Sequence, residues 1–134
     1  MLDDLGLAAS LESLARSIPL PNVAVDTVMT DLPEHAETAI YRIAQEALQN
    51  VTKHARAAHV QLRLSVAPGA VLLEISDDGV GFDPATTTKR AGPVGYGLPG
   101  MQQRAELLGG QLTADSAPGR GTVLRLRVPI AHER

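Results

Sequence analysis

Two alternating runs joined by a tight turn constrain this chain more than any other feature. Val60-Gln61-Leu62-Arg63-Leu64-Ser65-Val66 alternates apolar with polar residues, Pro68-Gly69 turns, and Val71-Leu72-Leu73-Glu74-Ile75 follows. Period two in neighbouring runs with so short a connection specifies an antiparallel hairpin. Its second strand ends on Asp77-Asp78-Gly79-Val80-Gly81-Phe82. Val71, Leu73, Ile75 and Asp77 share one face at strand spacing, so burying the three apolar residues carries Asp77 into an apolar pocket. A carboxylate there needs a strong donor, and Gly79 and Gly81 leave bare backbone beside it. A flat heterocycle with an exocyclic amine would satisfy both conditions. The same residues also read as an ordinary Asp-Gly turn, and this stretch alone does not separate the two.

The rest of the chain supplies the context. Leu5, Ala8, Ala9, Leu11 and Leu14 fall near helical spacing between Leu2 and about Ile18, where Pro19-Leu20-Pro21 stops the helix. Val23 to Val28 alternates as a strand. Pro33 is expected to start a second helix, capped by Asp31 and running to about Ala55. At 100° per residue, Ile40, Ile43, Ala44, Ala47, Leu48 and Val51 form its apolar arc. Arg42, Glu46, Asn50 and Lys53 form a polar stripe with His54 at its edge, and Glu46 lies one turn below Asn50. A solvated helix face is the plain reading of such a stripe, yet Asn is a poor helix former and here it stands among a carboxylate and two cations.

From Asp83 to Val94 the periodicity vanishes and the residues read as a long loop of the kind that forms a lid, with Lys89-Arg90 as a basic pair. Gly95-Tyr96-Gly97-Leu98-Pro99-Gly100 then opens a helix to about Leu108 that Gly109-Gly110 ends. Leu112 and Ala114 mark a strand, Ala117 to Gly121 a turn, and Leu124, Leu126, Val128 and Ile130 a last strand. The order α-β-α-β-β-loop-α-β-β predicts a two-layer α/β sandwich, with a mixed, mostly antiparallel sheet and helices on one face.

Bulk properties exclude several classes. At 134 residues the chain is one domain with room for a core. A net charge of −3 argues against a nucleic-acid or anionic-membrane surface, and 2% aromatic content against a stacking platform for single strands. The absence of cysteine excludes disulfides and thiolate metal sites and fits a reducing compartment. No apolar run reaches membrane-spanning length, and Met1-Leu2-Asp3-Asp4 lacks the signal-peptide pattern. Helical sequence begins directly after Met1, so the chain is expected to be a piece of a longer protein.

Gly95, Gly97 and Gly100 meet the spacing of a dinucleotide motif, but no strand leads directly into them as a βαβ unit requires. An NAD-dependent oxidoreductase rests on that spacing alone, and a purely structural glycine turn remains open. No Gly-Lys-Ser/Thr triplet exists for a Walker loop. Glycines ahead of a helix N-terminus do offer amides and a positive dipole end to an anion. Asn and Glu oxygens suit Mg²⁺, which bridges to phosphates. A base with an amine, phosphates and Mg²⁺ together describe ATP.

These segments carry a resemblance. Glu46-Ala47-Leu48-Gln49-Asn50-Val51-Thr52-Lys53-His54-Ala55, Asp77 to Phe82, and Gly95 to Met101 resemble the N, G1 and G2 boxes of the histidine-kinase ATP-binding domain, and Gly119-Arg120-Gly121-Thr122 its last glycine motif. Tyr41 to Glu46 and Leu2 to Leu7 resemble the branch of two-component sensors that includes the nitrate and membrane-fluidity sensors. The resemblance spans nearly the whole chain and implies the Bergerat fold shared with Hsp90, gyrase B and MutL. It implies that residues 1–18 are the end of a linker and first helix after a dimerisation domain, and 19–134 the catalytic domain.

By the same resemblance, Asn50 ligates Mg²⁺ and Asp77 accepts the adenine amine. Gly79 and Gly81 line the base, Thr122 supports it through water, and Lys53 and His54 lie near the phosphates. Gly95, Gly97, Leu98 and Gly100 hold the lid's end at the phosphates. Glu46 is given two roles, polarising a metal-bound water or assisting proton removal from the acceptor histidine, for which the branch also offers an acidic residue beside that histidine. The acceptor lies on an upstream helical domain, and none of His35, His54, His59 or His132 has its context. Gln102-Gln103 replaces a more charged pair. The implied partners are ATP, the protein's own dimerisation domain, and a response regulator with a helix-turn-helix output, with no direct nucleic acid. The implied setting is a cytoplasmic domain of a homodimer, whether or not the full-length protein is membrane-anchored. A nucleotide-gated interaction module without phosphoryl transfer is the alternative.

Overall fold

A computed structural model of the chain describes residues 2–19, 22–28, 30, 32–55, 57–80 and 98–130. Among these residues three α-helices and five strands lie in the expected order: α1 (Leu2–Ser17), β1 (Val23–Asp26), α2 (Glu34–Asn50), β2 (Val60–Ala67), β3 (Ala70–Asp77), α3 (Leu98–Leu107), β4 (Gln111–Ser116) and β5 (Thr122–Pro129). The strands form one sheet in the order β1-β2-β3-β5-β4. β1 and β2 are parallel and every other pair is antiparallel. The hairpin therefore supplies two inner strands, with β3 at the centre.

Alternation decides the faces. Leu62, Leu64, Val71, Leu73, Ile75, Leu112, Leu124, Leu126 and Val128 are buried on one face. Register aligns them in rows, such as Val25, Leu62, Ile75, Leu124 and Ala114 across all five strands. The helices cover that face with Leu7, Leu11 and Leu14 of α1, the apolar arc of α2, and Met101 and Ala105 of α3. Asp26, Arg63, Glu74 and Arg125 occupy one register row on the outer face. Arg63 Nε lies 3.7 Å from Asp26 and Arg125 Nε 2.9 Å from Glu74; exposed pairs of this kind stabilise by about 0–1 kcal/mol each.

Helix ends depart from the sequence reading in instructive ways. Pro33 is the N-cap of α2 and not its first residue, and it makes no side-chain cap bond. The Pro33 carbonyl instead accepts the amides of Ala36 and Glu37, while Asp31 lies outside the described residues. α2 ends at Asn50 and continues through Val51–Ala55 as a π-helical turn. In α1 the backbone breaks at Gly6, whose φ is 80° and ψ 167°. β1 stops at Asp26, short of the expected Val28. The end of α3 follows expectation: Gly109 has a φ of 70°, its amide reaches the Glu106 carbonyl and that of Gly110 the Ala105 carbonyl, the paired bonds of a Schellman motif.

Candidate functional site

The site forms where β3 leaves the core. The outermost inward-facing register row holds Val23, Val60, Asp77, Thr122 and Ser116. Apolar side chains on β1 and β2 thus give way to three polar ones on β3, β5 and β4. Asp77 is half-buried, and its Oδ1 accepts the Gly79 amide at 2.8 Å. Desolvation is the largest influence on its carboxyl and raises its pKa; the Gly79 bond opposes this and the neighbouring Asp78 adds to it. A carboxylate held above its ordinary range and left with accepting capacity suits a neutral N–H donor from a ligand.

Thr122 lies directly across from Asp77 in the ladder. Its hydroxyl and that of Ser116 are 2.8 Å apart, and Ser116 Oγ also donates to the Gly121 carbonyl at 2.9 Å. Gly121 is buried with a φ of +75°, and a Cβ there would stand 2.2 Å from the Asp77 carbonyl oxygen. Only glycine allows the turn before β5 to press on the main chain that presents Asp77.

Asp78 points the other way. One carboxylate oxygen accepts the amides of Ala58 and His59 at 2.8 and 2.9 Å, and the other meets His59 Nδ1 at 2.9 Å. The backbone and ring bonds of His59 hold its carboxyl down at about 2. Asp78, His59, Ser116 and the packing role of Gly121 escaped the sequence reading. A signal existed for the first pair, because the hairpin register that pairs Ala67 with Ala70 and Val60 with Asp77 sets His59 opposite Asp78.

The helical part of the site is graded and not a simple exposed stripe. Arg42, Gln49 and Lys53 are exposed, whereas Glu46 and Asn50 are half-buried at the border of the apolar arc. Asn50 is the last α-helical residue and Lys53 stands in the π turn; single π turns inside helices occur often at functional sites. His54 shares that turn and Leu98 opens α3, but their side chains lie outside the described set. Gly100 sits in the first turn of α3, and a Cβ there would meet no atom closer than 4.0 Å. Gly79 is buried at the corner. Gly81, Gly95, Gly97 and the expected lid fall outside the described residues. Among the described residues no group of three His, Cys, Asp or Glu side chains could hold a metal. The oxygen donors at hand, Asn50 and Glu46, are of the kind Mg²⁺ takes while keeping water and phosphate ligands.

Residues 35–132 match the family of histidine kinase-, DNA gyrase B- and HSP90-like ATPases. The signal transduction histidine-protein kinase/phosphatase DegS of Brevibacillus brevis is 37% identical over 137 residues, covering 98% of this chain and 34% of that protein. The oxygen sensor histidine kinase NreB of Staphylococcus carnosus is 37% identical over 134 residues, covering 96% and 38%. The chain thus spans little more than a third of those relatives' length. The histidine kinase domain of the Erythrobacter litoralis EL346 blue-light activated histidine kinase superposes with a TM-score of 0.79 at 26% identity, over 96% of this chain and 67% of that one. The mycobacterial sensor histidine kinase MprB shares the fold, with a TM-score of 0.66 at 24% identity. With the mixed sheet, the acidic corner and this match over most of its length, the chain belongs to the histidine kinase-, DNA gyrase B- and HSP90-like ATPase family, as an ATP-binding domain of the histidine-kinase kind.

Proposed function

We propose that this domain binds ATP with Mg²⁺ and donates the γ-phosphoryl group to a histidine on a separate dimerisation domain, for relay to a response regulator with a helix-turn-helix output. The observation that carries the reading is Asp77, a half-buried acceptor at the end of the central strand with Thr122 across from it and the Gly79 amide on its carboxylate. In this reading Asp77 takes the adenine amine, and Gly79 and Gly81 lie along the ring. Lys53, His54, Gly95, Gly97, Leu98 and Gly100 serve the phosphates, and Asn50 holds Mg²⁺. The metal neutralises charge on the phosphate oxygens. Glu46, half-buried one turn below Asn50, polarises a water or receives a proton. Residues 1–18 form the connection from the dimerisation domain.

In the transfer, the acceptor imidazole nitrogen attacks the γ-phosphorus while the bond to the β-bridging oxygen breaks. The electron pair leaves with ADP, and the ring proton passes to a base. Such a transfer depends on positioning and electrostatic stabilisation, so this domain supplies the donor half of an in-line arrangement. Among the described residues no helix is long and apolar enough to cross a membrane. Relay to a response regulator, as proposed here, would set the domain in the cytoplasm.

Mixing the chain with a separately produced dimerisation domain and γ-labelled ATP tests the reading. Acid-labile, base-stable label is expected on the dimerisation helices and none on this chain. ATP binding without transfer would favour a nucleotide-gated interaction module. Stoichiometric label on this chain, lost in His54→Gln, would overturn the division of labour.

A further inference from the structure

We propose that Asp78 is a positioning residue: by clamping the chain that enters β2, it holds the turn from Asp77 to Gly79 in the geometry that receives the adenine amine. This rests on the reading of Asp77 given above and adds a second residue to it.

The hairpin ladder ends at the pair Val60 and Asp77. Beyond that pair the Asp78 amide still donates to the His59 carbonyl at 3.2 Å. The Asp78 side chain then takes over, with Oδ1 holding the amides of both Ala58 and His59 and Oδ2 the His59 ring. One exposed carboxylate thereby replaces the next rung of the sheet. An exposed ion pair contributes little stability by itself, so the consequence of this cluster lies in what it holds. Asp77 precedes Asp78 directly, and Gly79, which follows it, donates to the Asp77 carboxylate. Gly121, directly ahead of β5, leaves no room for a Cβ beside the Asp77 carbonyl and Asp78 Cα, so the corner is hemmed in from both neighbouring strands. Ala58 lies just beyond the π turn that follows Asn50 and contains Lys53. The clamp's acceptors are available at neutral pH, because the same bonds hold the carboxyl down at about 2.

The test compares ATP with GTP in competition against a fluorescent ATP analogue, for the parent chain and Asp77→Asn, Asp78→Ala and Asp78→Asn. GTP carries a carbonyl where adenine carries its amine, so the affinity ratio reads the fit at Asp77. Partial unfolding weakens both nucleotides by the same factor and leaves the ratio unchanged. Asp78→Ala is expected to lower the ratio on the order of tenfold, the scale seen when a residue orienting a ligating group is removed. Asp78→Asn keeps an oxygen for the two amides and is expected to retain the parent ratio. Asp78→Ser, too short to span both amides, carries the expectation of Asp78→Ala and replaces it if that variant does not fold. A parent ratio in Asp78→Ala or its replacement, with the preference lost in Asp77→Asn, overturns this proposal alone, as does an Asp78→Asn ratio that falls as far. No preference in the parent, or none lost in Asp77→Asn, overturns the assignment of Asp77 and this proposal with it.

Discussion

Gly121 offers the sharpest quantitative prediction. Its φ of +75° is left-handed, and a Cβ built on it stands 2.2 Å from the Asp77 carbonyl oxygen, 3.1 Å from its carbon and 3.2 Å from Asp78 Cα. In Gly121→Ala the left-handed backbone costs an L-residue roughly 1–2 kcal/mol. The contacts are with main chain in a paired strand, which cannot swing aside as a long side chain would. Forcing them apart adds about 1–3 kcal/mol, the scale of overpacking. The sum, roughly 2–5 kcal/mol, is a large share of the 5–15 kcal/mol that typically separates folded from unfolded domains. Gly119 is the control, because its φ is +81° but a Cβ there meets nothing within 4 Å. Gly119→Ala should show the backbone cost alone, roughly 1–2 kcal/mol. Urea denaturation at constant slope measures both, and ATP titration below each midpoint measures the site. The expected outcome is a lower midpoint for Gly121→Ala than for Gly119→Ala, with ATP affinity reduced only in the former. Equal midpoints and equal affinities would refute the claim that close packing of this glycine holds the Asp77 corner.

Asp77→Asn should weaken ATP binding by about 1.5–3 kcal/mol, the value of a hydrogen bond to a charged group, as read by calorimetry. Because desolvation raises the Asp77 pKa, its carboxyl favours folding below its unfolded value, and that contribution is lost as pH rises through the higher folded value. The neutral amide should therefore leave the nucleotide-free chain at least as stable at neutral pH, and a clear fall in urea midpoint would contradict this. Asp78 runs the opposite way: with a folded pKa lowered from 3.8 to about 2, its contribution is present above 3.8 and is lost as pH falls from there toward 2. An acid titration in which the parent loses no stability relative to Asp78→Asn across that window would count against a bond that needs the ionised carboxylate, such as the one to the His59 ring. Asn50→Ala should abolish Mg²⁺-dependent transfer to the dimerisation domain with the circular dichroism unchanged; normal transfer would remove Asn50 from the metal.

Periodicity and turn chemistry made the frame of this protein legible in one dimension. The alternation on either side of Pro68-Gly69 contained the hairpin and its register, and the position of Asp77 on the apolar face followed from a period of two. Gly109-Gly110 announced the end of α3, and the apolar arc of α2 named the residues that became its core. Local sequence determines these features because each depends on neighbours a few residues away. Tertiary structure alone decided that β5 inserts between β3 and β4, which sets Thr122 opposite Asp77 and Ser116 next to Thr122. It decided that Gly121 abuts Asp77, and that Glu46 and Asn50 are half-buried and not freely solvated. The helix that contains Asn50 loosens into a π turn, a change that no helical periodicity marks. Each of these depends on segments distant in the chain meeting across the sheet, and pairing between such segments is selected by burial of whole faces, which no single stretch of sequence encodes.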